Sequence, residues 1–161
     1  MSEETEYEPT EPPAVHHWIL CRSAAVESPA KPTNQYSLFG VGFRFAVESR
    51  YESEPTFPSP IDSLCVFARF YGGSGTREFE IHVEWLDGPG ESEGSIIEVY
   101  GPFTVHFREG ESVRDYVFSL RNVPISGTGR YAVRLHDLDI PSFEIPSEPL
   151  AIEYFEVVHE A

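Results

Sequence analysis

Gly127-Thr128-Gly129-Arg130-Tyr131-Ala132-Val133-Arg134-Leu135 is the stretch that decides the fold. Two glycines and a threonine make a turn. Behind it Tyr131, Val133 and Leu135 alternate with Ala132, Arg134 and His136. Successive side chains of an extended strand point to opposite faces, so this period of two puts one face on a core and the other toward water. Tyr131 falls on the core side, directly after the turn.

Working outward, the same alternation recurs along much of the chain. Residues 78–86 carry it most cleanly, with Phe79, Ile81, Val83 and Trp85 set against Glu78, Glu80, His82 and Glu84. Residues 16–22, 36–48, 63–71, 95–100 with 103–108, 113–121 and 150–158 read as further strands. Gly40 and Gly42 predict a bulge or bend within 36–48, and Pro102 predicts an edge or kink where it splits 95–108. Gly72-Gly73-Ser74-Gly75 between two strand candidates predicts a hairpin. Residues 63–71 are apolar on both faces and predict a central, covered strand. The chain therefore reads as all-β, with about eight strands and no amphipathic helix.

The 161 residues include 12 Phe, 8 Tyr, 2 Trp, 14 Pro and 12 Gly, which suits a bulky core and many turns. Residues 1–14 read as a disordered acidic tail, and residues 15–161 as one sandwich domain. The tail holds Glu3, Glu4, Glu6, Glu8 and Glu11 and no base; removing its five charges from the net −16 leaves −11 on the domain. Such a field repels phosphate backbones and anionic lipid surfaces, which argues against nucleic-acid and membrane partners. Met1-Ser2-Glu3-Glu4 lacks the basic and apolar regions of a secretory signal, so the expected location is cytoplasmic. Cys21 and Cys65 lie in apolar runs. They read either as a sheet-to-sheet disulfide or as two buried free thiols, and the expected compartment favours the thiols.

Candidate chemistry is sparse. Asp137-Leu138-Asp139 places two carboxylates two residues apart where the key strand ends, and Asp87 follows another strand. Hard oxygen ligands gathered at one end of a sandwich suit calcium, provided that these loops meet. Gly90-Glu91-Ser92-Glu93-Gly94 matches the nucleophile-elbow spelling, but no helix follows to present Ser92. The six histidines are spread over different strands and ends, with no H-x-H or H-E-x-x-H spacing. Arg44, Arg121 and Arg134 fall in outward phase, where they could pair with Glu78, Glu80 or Glu84.

Gly129–Leu135 followed by a loop and a closing strand resembles the last hairpin of immunoglobulin-like sandwiches. There a tyrosine near the start of the penultimate strand anchors a corner. The resemblance implies that structural role for Tyr131. No cysteine follows two residues later; Val133 stands there. More broadly, Trp18 through Ala24, the 39–45 strand, Phe67-Ala68-Arg69-Phe70 and the final hairpin resemble an uncharacterised bacterial β-sandwich family of unknown function. That likeness spans residues 15–158 and implies an immunoglobulin-like antiparallel sandwich without an activity. The expectation is a non-catalytic interaction or accessory module that binds another protein or a second copy of itself and needs no cofactor. The alternative is a calcium-dependent ligand- or carbohydrate-binding module using Asp87, Asp137 and Asp139.

Overall fold

Ten strands and no helix make up the described residues of the computed structural model, which are 12–26, 36–41, 44–48, 59–88, 95–108, 112–139 and 148–160. They are β1 (Ala14–Cys21), β2 (Ser23–Val26), β3 (Tyr36–Phe39), β4 (Arg44–Glu48), β5 (Ser59–Tyr71), β6 (Gly75–Trp85), β7 (Ser95–Phe107), β8 (Val113–Ile125), β9 (Gly129–Asp137) and β10 (Ala151–Glu160). The count exceeds the expected eight for two reasons. The chain breaks after Cys21 to start β2, and the long strand expected at 36–48 divides into β3 and β4. Gly40, at φ +63°, ends β3 in a conformation that glycine adopts without strain. Conversely, the two pieces expected at 95–108 form one strand, irregular in register opposite Gly101-Pro102.

The strands build a sandwich. One sheet has the order β1-β5-β8 and the other β4-β10-β9-β6-β7, while β2 and β3 form a separate ribbon. All pairs are antiparallel except β10 with β4, which run parallel. β5 is central, as its two apolar faces predict. The hairpin expected between β5 and β6 does not form. Gly72–Gly75 instead carries the chain from the three-stranded sheet to the five-stranded one, where β6 pairs with β7 and β9. The segment serves as a crossing between layers, and the inner faces of its two flanking strands meet across the core.

The core lies between the inner faces. Trp18, Leu20, Leu64, Val66, Phe70, Phe118 and Leu120 from one sheet meet Phe79, Ile81, Val83, Tyr131, Val133, Leu135 and Phe155 from the other. Trp18 Nε1 donates across the layers to the Val133 carbonyl at 3.3 Å. At one end the ring planes of Trp85, Tyr131 and Phe155 lie nearly parallel, 11° and 6° apart, with centroids 6.1 and 5.0 Å apart. The Tyr131 hydroxyl donates to the Gly127 carbonyl at 2.6 Å and accepts from the Gly127 amide at 3.1 Å. A side chain on Gly127 would drive its Cβ to 2.6 Å from the Trp85 ring, so the turn needs glycine for close approach.

One inward position of β6 is not apolar. Arg77 precedes Phe79 on the same face and is buried, and its guanidinium lies 2.8 Å from the Asp137 carboxylate. On the opposite, outer face of the three-stranded sheet, Cys21 and Cys65 stand directly across from each other on β1 and β5. Both are buried and free. A sheet-to-sheet bridge is thus excluded by topology, since both cysteines belong to one sheet.

Candidate functional site

The outer face of the five-stranded sheet gathers the chemistry-bearing side chains. Because Phe79, Ile81 and Val83 point into the core, Glu80, His82 and Glu84 point out. By the same alternation β9 shows Ala132, Arg134 and His136. The register brings Glu80 opposite His136, His82 opposite Arg134, and Glu84 opposite Ala132. His82 Nε2 lies 3.0 Å from Glu80 Oε2. The His82 and His136 rings lie 4.3 Å apart, tilted by 35°. Arg134 Nη1 pairs with Glu84 Oε2 at 3.3 Å, one of the pairings expected from the outward phase. Burial holds the His136 imidazole below its ordinary value, and the neighbouring His82 and Arg134 push it further the same way.

The cluster has an aliphatic and aromatic border. On β7 Val99 stands opposite His82 and Ile96 opposite Glu84, so both share the outer face; they are 45% and 58% exposed. A register irregularity between these two pairings puts residues three apart on one side. On β10 Tyr154 stands opposite Ala132 and is 48% exposed. β7 is an edge strand, with a neighbour in its sheet only on the β6 side.

The carboxylates considered for calcium sit differently. Asp137 and Asp139 come together: the Asp139 amide donates to Asp137 Oδ1 at 2.9 Å. Asp137 faces inward and is engaged by Arg77. Asp139 Oδ2 accepts from the Glu78 amide at 2.8 Å. Asp87 is elsewhere. Leu86, its neighbour, bonds to Arg130 where β9 begins, whereas Asp137 is where β9 finishes. The two loops therefore leave opposite ends of the sandwich, and Asp87 does not join the other two. Its carboxylate accepts from the Arg130 amide at 2.7 Å and pairs with the guanidinium at 3.1 Å. These bonds hold it below the usual carboxylate range. Among the described residues no group of three or more His, Cys, Asp or Glu is arranged to hold a metal ion. Ser92 lies outside the described residues.

Sequence reasoning missed the His82–His136 contact and the burial of Arg77. Spacing along the chain carries no signal for the first, because the two histidines meet through strand register. The second had a signal, an arginine at an inward phase, two residues before Phe79.

No helix is long and apolar enough to cross a membrane among the described residues. In comparisons with known proteins, no family model and no curated protein matches this chain.

Proposed function

We propose that this chain is a non-catalytic protein-interaction module, an immunoglobulin-like sandwich acting in the cytoplasm, that receives an extended segment of another protein along β7. The observation that carries the reading is the pair Ile96 and Val99, exposed side by side on an edge strand. An edge offers backbone donors and acceptors to an incoming strand, and alternate side chains supply specificity. Burying two such aliphatic groups contributes roughly 1–2 kcal/mol each. The Glu80–His82 and Glu84–Arg134 pairs beside them give a polar rim that sets orientation more than affinity.

The test is capture from source-cell lysate by the full chain, with Ile96→Lys/Val99→Lys compared against Ser119→Lys on the other sheet's outer face. A stoichiometric partner retained by wild type and Ser119→Lys but lost by the β7 variant supports the reading. Equal capture by the β7 variant, self-association alone, or no stoichiometric partner overturns it. Both variants should melt within about 0.5 kcal/mol of wild type, as exposed positions do.

A further inference from the structure

We infer that Cys21 and Cys65 form a thiol–disulfide exchange site within one sheet, accepting low-molecular-weight disulfides of the glutathione class and closing to a cross-strand bridge. The geometry carries it. The two residues are direct partners in the antiparallel pairing of β1 with β5. Directly opposed residues in such a ladder have Cα atoms about 4.5–5.5 Å apart, inside the roughly 4.4–6.8 Å span of disulfides. Leu20 and Val66, the next pair along, face the core, so both thiols must point to the same outer side. The pairing therefore sets the two thiols side by side on one face, at a backbone spacing that a bridge can span.

The surroundings set the order of events. Cys21 is sealed, whereas Cys65 keeps a small exposed fraction. The β2–β3 ribbon lies beside them, with β2 against β5 and Tyr36 5.3 Å from Phe67. The Cys65 thiolate attacks the disulfide of oxidised glutathione. This forms a Cys65–glutathione mixed disulfide and releases one reduced glutathione. The Cys21 thiolate then attacks the Cys65 sulfur, forming the Cys21–Cys65 bond and releasing the second. The protein loses two protons and two electrons, and one oxidised glutathione becomes two reduced molecules. Burial, with the nearby Cys65 adding to it, pushes the Cys21 thiol up to about 11. The closing step is accordingly slow at neutral pH and accelerates as the solution becomes alkaline.

The experiment incubates the folded full chain with oxidised glutathione at pH 7.5 and pH 9 and follows intact mass and tryptic peptides. The expected product is a monomer lighter by two hydrogens with a Cys21–Cys65 linked peptide. It should form on the order of thirtyfold faster at pH 9, following the thiolate fraction of Cys21, and melt on the order of 5–10 °C higher than the reduced chain. Cys21→Ser should stop at the Cys65 glutathione adduct. Accumulation of the mixed disulfide alone in wild type, intermolecular dimers alone, or reaction only after unfolding in urea would overturn the assignment. The linked peptide from wild type decides the matter even if the variant fails to fold.

Discussion

Arg77 and Asp137 put a full ion pair against a core that is otherwise mostly apolar among the described residues. Their side chains are 2% and 0% exposed and meet at 2.8 Å. Two charges withdrawn from water are held up by each other, so removing one strands the other. Arg77→Met replaces the guanidinium with an aliphatic chain and leaves the Asp137 carboxylate buried, with the Asp139 amide still bound to Oδ1. Breaking one side of a buried pair costs about 3–5 kcal/mol. For a chain of this size that lowers the melting midpoint by on the order of 10 °C. Arg77→Met/Asp137→Leu removes both charges. It forfeits the Asp139 hydrogen bond, about 1 kcal/mol, but strands no charge. Urea melts of wild type, both singles and the double, with the m-value checked for constancy, give the coupling energy. It should exceed about 2 kcal/mol, with the double well above either single. A cost for Arg77→Met below about 1 kcal/mol, or additive losses in the double, would refute the reasoning.

Two further outcomes follow from the geometry. Tyr131→Phe keeps the ring between Trp85 and Phe155 but strands the buried Gly127 amide and carbonyl, so urea melts should show a loss of about 1–3 kcal/mol; a change under about 0.5 kcal/mol would remove Tyr131 as an anchor. His136 takes up a proton less readily folded than unfolded, because burial, His82 and Arg134 lower its value from 6.5. The unfolded chain then binds more protons, so this residue's contribution to stability is intact above pH 6.5 and is lost as pH falls from there toward the lower folded value. Urea midpoints from pH 7.5 to pH 5 should decline less steeply in His136→Gln, and identical slopes would refute the assignment.

Much of the fold was legible because alternation is a local property. The inward set Phe79, Ile81, Val83 and Tyr131, Val133, Leu135 stands buried as read from the sequence. Strand partners were not legible in the same way. Nothing in Gly72–Gly75 distinguishes a hairpin from a crossing between sheets; that choice is made by which apolar face each strand covers. The parallel pairing of β4 with β10 had no local mark at all. The candidate site shows the same division. Glu80, His82, Glu84, Arg134 and His136 could be read as outward, but their mutual contacts depend on register between strands. Asp137 was assigned to a loop mouth because it follows directly on the key strand, whereas β9 extends through it. The aspartate continues the inward phase of Tyr131, Val133 and Leu135, and there it meets Arg77, sixty residues earlier.

The placement of β10 has a consequence in time. It is the last-made of the ten strands, yet it sits second from one edge of its sheet, between β9 and a β4 made more than a hundred residues earlier. Until β10 emerges, β9 has one open side, β4 has no sheet to join, and the rings of Phe45 and Tyr131 lack Phe155 between them. β6, β7 and β9 can pair before β10 is made, but joining β4 to the sheet waits for β10, and contacts so far apart in sequence are of the kind that form slowly. In that interval the nascent chain presents open, apolar strand edges. Its strongly negative net charge then keeps unfinished copies apart by mutual repulsion.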